Sequence, residues 1–522
     1  MSTTFGLHRS VLFNRDAVAT LFEDRKRSWA EVEERVARLA GALRELGAGH
    51  GDRVAILMLN QDRYFELYLA IAWAGAVVVP LNIRWSAQEQ QDCLTDCRPK
   101  LLFADAAFAK MGADLAKALG SFALIYADDT PEDRPEGALD YERLVAGAAP
   151  IPDVEAAETD LAAIFYTGGT TGRSKGVMLS HRNVLANARN HLFIFGQYAN
   201  RDRCYLHATP MFHVAGAASL FAHLLVETEQ AFVRTFRPDG FGRAIEKFRA
   251  TSCFLAPTMI QMFVDQPDLK SADLSSLVFI NYGASPISEA VLDRAMKALP
   301  HVEFVQGYGM TELSPAATLL PWSDHIGEGR AKGRLRSGGR AAPMVEVRIV
   351  DTEGKTAPPR EVGEIVVRGD NVMMGYWERP EETRKAIVDG WMQTGDAGYM
   401  DEDAYVYIVD RLKDMIVTGG ENVYSAEVEN CVAQHPAVAQ CAVIGIPDAK
   451  WGEAVHAVVT RKPGAAVTEA DIIEFCKARI AGYKSPKSVT IQDEILPLSG
   501  AGKILKRELR KPFWEGKTRQ VN

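Results

Sequence analysis

Residues Tyr166-Thr167-Gly168-Gly169-Thr170-Thr171-Gly172-Arg173-Ser174-Lys175-Gly176 combine small flexible positions, threonine hydroxyls and a late lysine. They follow the apolar run Leu161-Ala162-Ala163-Ile164-Phe165, so a strand should run into a loop dense in backbone N–H groups. Glycine lets a backbone approach a ligand closely, and successive N–H groups in a turn form a concavity for anions. With a cation at its end, such a loop suits the phosphates of a nucleotide. A Walker-type loop needs Gly-Lys followed by Ser or Thr. Here Lys175 follows Ser174 and precedes Gly176, which argues against a phosphoryl-transferring P-loop NTPase.

Other segments carry groups of comparable interest. Gln306-Gly307-Tyr308-Gly309-Met310-Thr311-Glu312 offers an aromatic face, a hydroxyl and a carboxylate; hard oxygen ligands suit Mg²⁺ that also holds phosphate oxygens. Asn281-Tyr282-Gly283-Ala284-Ser285-Pro286 and Trp391-Met392-Gln393-Thr394-Gly395-Asp396 read as turns after strands. The run Asp410–Val423 holds charges and a Gly419-Gly420 pair, and Gly502-Lys503 lies near the end of the chain. Pro210-Met211-Phe212-His213-Val214-Ala215-Gly216 sets one histidine beside an aromatic ring, while His207 and His223 read as structural. Taken singly, each has a plain alternative: a helix start, a turn, a charged linker or a solvated tail.

In this order, the segments resemble the adenylate-forming superfamily of acyl-CoA synthetases, luciferases and peptide-synthetase adenylation domains. The nearest likeness is to fatty-acyl-CoA synthetases and 4-coumarate/feruloyl-CoA ligases, through Asp410-Arg411-Leu412-Lys413-Asp414 and Gly502-Lys503-Ile504-Leu505-Lys506. Departures are few: Gly168 stands where the family usually has Ser, Ser174 where it has Pro, and Ala501 where Ser or Thr is common. The resemblance implies that Thr167, Gly168, Gly169, Thr170, Thr171, Gly172 and Lys175 hold phosphates. Gly283, Ala284, Ser285 and Tyr308 would line the adenine site, and Asp396 and Arg411 would bind the ribose. Thr311 would contact the α-phosphate, Glu312 would ligate Mg²⁺, and Lys503 would enter the adenylation site. Lys413 would be the hinge, Gly419 and Gly420 would border the pantetheine of CoA, and His213 would stand at the thiol's approach. Phe212, Tyr282, Gly307, Gly309 and Ala217 would line the acyl pocket.

The implied activity is ATP-dependent formation of an acyl-adenylate and then a CoA thioester, with ATP and CoA as co-substrates and Mg²⁺ as cofactor. Small residues after His213, and no Lys or Arg in the pocket segments, favour a medium- or long-chain fatty acid or an aryl or arylpropenoic acid. Loading of a carrier protein, or nucleotide binding without turnover, are the alternatives. A homodimer stays open.

The elements that must position these groups follow from periodicity. Ser28-Trp29-Ala30-Glu31 is a capping-box pattern, and Val32, Val36, Leu39, Leu43 and Leu46 recur at helical spacing up to Gly47. Short apolar runs at 54–59, 231–233, 252–255 and 277–280 alternate with helical stretches, which predicts α/β layers with a largely parallel sheet. From Val345 closely spaced strands predict a β-rich subdomain, and a self-contained α+β pattern follows Arg411. The expected organisation is an N-terminal AMP-binding domain over 1–410, a hinge at 411–413 and a mobile C-terminal domain over 414–522 carrying Lys503.

Bulk properties agree with a globular enzyme. The chain has 522 residues, 47% hydrophobic and 24% charged, enough for more than one core. A net charge of −9 argues against general nucleic-acid binding. Seven dispersed cysteines predict reduced thiols and a cytoplasmic setting, and Cys93 and Cys97 have helical rather than zinc-site spacing. The first residues lack a signal-peptide pattern, and the longest apolar run, Leu67 to Val79, is shorter than the roughly 20 residues that span a bilayer.

Overall fold

The computed structural model describes residues 1–167, 174–195, 203–412, 414–419, 421–462, 464–498 and 504–515. The capping box at Ser28 forms as expected: Ser28 Oγ accepts from the Glu31 N–H, and the Glu31 carboxylate accepts from the Ser28 N–H at 2.7 Å. It opens helix Trp29–Glu45, whose Val32, Val36, Leu39 and Leu43 are fully buried, and Gly47 ends it at φ +83°.

Two large sheets build the N-terminal part. One runs, in spatial order, Gly375–Tyr376, Lys175–Ser180, Leu161–Thr167, Val77–Pro80, Arg53–Leu57, Leu101–Ala104, Ala123–Tyr126 and Leu139–Asp140. Its strands are parallel from Leu161–Thr167 onward and antiparallel at the other rim. The second sheet has a parallel centre of Glu303–Gly309, Phe279–Gly283, Ser252–Leu255, Cys204–His207, Glu229–Phe232 and Val18–Phe22, with antiparallel strands at both edges. Strands covered on both faces read as unbroken apolar runs, which is why the sequence exposed them. The strand expected from Leu277 opens two residues later, because Leu277 N–H is used in a turn to Leu274 O at 3.1 Å. The main core lies between these sheets and helices Trp29–Glu45, Asp62–Trp73 and Val214–Leu224.

An antiparallel sheet of Val345–Val350, Gly363–Gly369, Trp391–Met400 and Val406–Arg411 forms the β-rich subdomain. Its last strand continues through Arg411, so the first residue of the expected hinge is sheet-bound. Beyond it, strands Val438–Asp448, Gly452–Arg461 and Ser488–Gln492 pack with helices Ser425–Val432 and Glu469–Lys477 around a separate core of Val428, Val443, Val455, Val459 and Ile472. Among the described residues no helix is long and apolar enough to cross a membrane.

Candidate active site

The strands flanking the glycine-threonine loop are the arms of a hairpin, with Thr167 opposite Lys175 and Tyr166 opposite Gly176. Gly168, Gly169, Thr170, Thr171 and Gly172 lie outside the described residues. The stem is braced from below: Tyr166 Oη donates to Asp96 Oδ2 at 2.5 Å, and Trp377 N–H donates to Gly176 O at 2.8 Å. Lys175 forms an ion pair with Glu382, and its ammonium stands 5.1 Å from the centre of the Tyr376 ring.

Tyr376 joins this lysine to the second motif. Its hydroxyl donates to Glu312 Oε1 at 2.8 Å. Glu312 sits in the turn Thr311–Leu313 that follows strand Glu303–Gly309, and both Thr311 and Glu312 are buried. Burial pushes the Glu312 carboxyl up, while the Tyr376 hydrogen bond and the charges of Arg411 and Lys175 draw it down. The turn is stitched in place. Asn371 Nδ2 donates to Leu313 O and Ala316 O at 3.1 and 3.0 Å, and Met373 N–H donates to Glu312 O at 2.9 Å. From helix His181–Phe195, Asn183 Nδ2 holds Asp370 O and Val372 O at 2.8 Å each, and Asn187 Oδ1 accepts from Ala316 N–H at 3.1 Å.

The third group is Tyr308, Asp396 and Arg411. Asp396 and Arg411 face each other across neighbouring strands, with Arg411 Nε 3.4 Å from Asp396 Oδ1. Tyr308 Oη donates to Asp396 Oδ2 at 2.8 Å, and burial with the adjacent carboxylate holds its phenol well above the usual range. Tyr376 thus joins Lys175 to Glu312, Asp396 joins Tyr308 to Arg411, and Tyr308 lies four residues before Glu312 on the strand that leads into its turn.

Backbone packing explains two of the glycines expected near the acyl group. A Cβ on Gly283 would stand 2.2 Å from Gly307 O, and one on Gly309 would stand 1.9 Å from Pro315 O. A Cβ on Gly307 would meet only Leu319 Cδ2, at 3.7 Å, among the described residues. Ala284 adopts a left-handed φ of +69°, a strained state for alanine that recurs at functional sites, and Ser285 follows it. Tyr282 is fully buried and its hydroxyl bonds to His325 Nε2 at 2.9 Å and Gln306 Oε1 at 3.1 Å. Phe212 is buried, and His213 caps helix Val214–Leu224, its Nδ1 accepting from Ala215 N–H at 3.2 Å. Ala217 faces the main core, whereas Ala215 joins Tyr205 and Phe254 against Ala284.

In the C-terminal part, Gly419 has φ +61° and lies against the Trp451 ring, donating its N–H to Trp451 O at 2.8 Å. Lys413, Gly420 and Lys503 lie outside the described residues. Sequence reasoning overlooked Tyr376, Glu382 and Asn371. The only signal was Gly375-Tyr376-Trp377 followed by Pro380-Glu381-Glu382, a pattern that also fits an ordinary strand end and helix start.

The family description "AMP-binding enzyme" matches residues 7–377, and "AMP-binding enzyme C-terminal domain" matches residues 427–503. The chain belongs to the AMP-binding enzyme family. A feruloyl-CoA synthase of Amycolatopsis is 40% identical over 491 residues, covering 93% of this chain and 94% of its own. A fatty acid–[acyl-carrier-protein] ligase of Streptomyces coeruleorubidus is 36% identical over 516 residues, covering 97% and 95%. Among solved structures, ATP-bound MatB from Rhodopseudomonas palustris overlays with a TM-score of 0.88 at 31% identity, covering 99% of this chain and 100% of that one.

Proposed function

We propose that this AMP-binding enzyme is an ATP-dependent acid–thiol ligase that makes acyl-CoA from a fatty or aryl carboxylic acid. The observation that carries this reading is the linkage of Lys175 to Glu312 through Tyr376, beside the Tyr308–Asp396–Arg411 group. In the first half-reaction an oxygen of the substrate carboxylate attacks the α-phosphorus of ATP, and pyrophosphate leaves. Lys175, Thr311 and Lys503 stabilise charge that grows on the phosphate oxygens, an effect strongest in a water-poor site. Asp396 accepts from the ribose, and Arg411 neutralises the neighbouring phosphate. In the second half-reaction the C-terminal domain turns about Lys413, Lys503 withdraws, and the CoA thiol attacks the acyl carbonyl as AMP leaves. Gly419 and Gly420 border the pantetheine, and His213 borders the thiol's approach.

Mg²⁺ fits the residues present. Glu312 spends one oxygen on Tyr376, and a nearby cation would offset the burial that raises its carboxyl. One protein carboxylate is enough for a magnesium ion whose other ligands are phosphate oxygens and water. When bound, the ion neutralises charge on the phosphates. Thr311 and Glu312 are the residues that would hold it there.

The choice of acid rests on the small residues Ala215 and Ala284, which pack with Tyr205 and Phe254, and on Gly307. Residues 207–219, 280–286 and 305–317 contain no Lys or Arg to partner a second carboxylate. The names of the relatives, a feruloyl-CoA synthase and a fatty acid ligase, support the same choice. Seven cysteines, none in a disulfide among the described residues, suit a cytoplasmic enzyme. Overlay along 99% of the chain with an ATP-bound enzyme supports reading this domain arrangement as the adenylating one.

A second acceptor is supported by the carrier-protein ligase among the relatives. Acid-dependent ATP–pyrophosphate exchange, followed by AMP release on adding CoA or a phosphopantetheinyl carrier, tests both readings. Exchange with CoA-dependent AMP release is the expected result. Release with the carrier alone selects the second reading, and no exchange with any acid overturns adenylation.

A further inference from the structure

The segment that carries Phe212 and His213 follows strand Cys204–His207 of the second large sheet, yet two side chains from beside the first sheet fix its backbone. Asn60 lies between strand Arg53–Leu57 and helix Asp62–Trp73. Its Oδ1 accepts from Met211 N–H at 2.8 Å, and its Nδ2 donates to Thr209 O at 3.0 Å and to His207 O at 3.4 Å. From the same helix, Tyr68 Oη donates to Met211 O at 2.7 Å. Met211 thus uses both of its backbone groups on these two side chains. Asn60 and Tyr68 are 3% and 2% exposed, and Met211 is fully buried.

The hold extends along the segment. Thr209 Oγ1 donates to Phe254 O at 2.8 Å, and Pro210 O accepts from His213 N–H at 3.1 Å. Helix Val214–Leu224 is pressed on the same turn, since a Cβ on Gly216 would stand 2.3 Å from Pro210 O. The Asn60 N–H donates to Arg234 O at 3.3 Å, so one residue also ties the loop after strand Glu229–Phe232. Asparagine suits the place because one short amide offers an acceptor and donors together. Ionised Asp has no donor, and Leu has neither. A buried backbone group that loses its partner bears the whole desolvation cost, so loss of Asn60 displaces the segment.

We propose that Asn60, with Tyr68, is a positioning residue for Phe212 and His213 and sets how the acid and the thiol are presented. It acts through the backbone of Thr209 and Met211. This rests on the proposed reading that puts Phe212 at the acyl group and His213 at the thiol's approach. A misplacement of about 1 Å caused by a change far from the chemistry can cost about 10²-fold, so the effect belongs in the kinetics.

The test compares Asn60→Leu, Asn60→Asp and Tyr68→Phe in the full-length enzyme. In Asn60→Leu, KM for the acid in ATP–pyrophosphate exchange should rise about tenfold or more. KM for CoA in thioester formation from supplied acyl-adenylate should rise likewise, and KM for ATP should be unchanged. Tyr68→Phe removes one hydroxyl from a ring that keeps its edge contact with Phe221. It should show the same split more weakly, and it covers a failure of the first variant to fold. Asn60→Asp should resemble Asn60→Leu at neutral pH. Relative to the unaltered enzyme it should recover as pH falls, because a protonated carboxyl again offers an acceptor and a donor, and burial raises the pH at which that proton binds. A merely structural role lowers the active fraction, so every kcat falls alike and no KM moves. That outcome, or unchanged KM values in both Asn60→Leu and Tyr68→Phe, would overturn the positioning role. His213→Ala tests the underlying reading. Unchanged KM values for acid and CoA there remove the functional placing of the segment, whereas a His213 effect beside silent Asn60 and Tyr68 variants removes only the positioning.

Discussion

Tyr376 donates its hydroxyl to Glu312 at 2.8 Å while the face of its ring meets the Lys175 ammonium, so one side chain sets the distance between a buried acid and the lysine of the phosphate loop. Glu382 completes the arrangement by pairing with the same lysine. On the proposed reading, an incoming triphosphate would compete with Glu382 for that cation.

Replacing Tyr376 by Phe keeps the ring and removes the donor. Hydrogen bonds to charged groups contribute about 1.5–3 kcal/mol, so kcat/KM for ATP should fall by roughly 10- to 100-fold, with more Mg²⁺ needed for half-maximal exchange. The bond lowers the Glu312 pKa against the upward push of burial. Its loss raises that pKa further, so the acidic limb of the pH–rate profile should move to higher pH. A Mg²⁺ titration of exchange at several pH values checks both effects. An unshifted limb would mean that Glu312 is not the group titrating there.

Lys503→Ala should nearly abolish acyl-adenylate formation and leave thioester formation from supplied acyl-adenylate largely intact. Loss of one preorganised electrostatic group costs on the order of 10²-fold or more. Equal losses in the two half-reactions would assign the lysine to both steps.

Proline at position 413 fixes φ near roughly −65°, so Lys413→Pro should slow CoA transfer more than adenylation. Separate assay of each half-reaction shows it.

Ala215 and Ala217 make a paired probe of the acyl wall. Residues two apart on a helix do not share a face, and these two join different packing groups. Ala215→Ser, Val or Phe in series should shift preference toward progressively shorter acids. Ala217→Trp, in the main core, should instead cost about 1–3 kcal/mol by overpacking, read as a lower thermal midpoint. Acetate outcompeting octanoate and a cinnamic acid in the unaltered enzyme would remove the bulky-acid reading.

Much of the fold was legible because its signals are local. The Ser28–Glu31 box, the helical spacing after it and the apolar strands 252–255 and 345–350 each depend on neighbours in the chain. The motifs that end at Glu312, Asp396 and Arg411 were legible for the same reason. Tyr376 and Glu382 were not, since their partners Glu312 and Lys175 lie far away in sequence and meet only when strand Gly375–Tyr376 joins the edge of Lys175–Ser180. The difference between Ala215 and Ala217 depends on helix phase against a distant wall, which a run of small residues does not encode. Asp410 gave the least warning. Beside Arg411 it reads as one more surface charge, and its role emerges only from the helix that it caps.

That cap bears on how such enzymes can be recombined. A chimera joined at residue 413 would import the recipient's Ser425 but inherit whatever the donor carries at 410. Only a side chain with an acceptor oxygen in that place, such as Asp or Asn, completes the contact to the Ser425 N–H. A hybrid lacking it would leave a buried N–H at the start of helix Ser425–Val432 without that acceptor. The natural crossover point therefore lies before Asp410, within the turn that precedes strand Val406–Arg411.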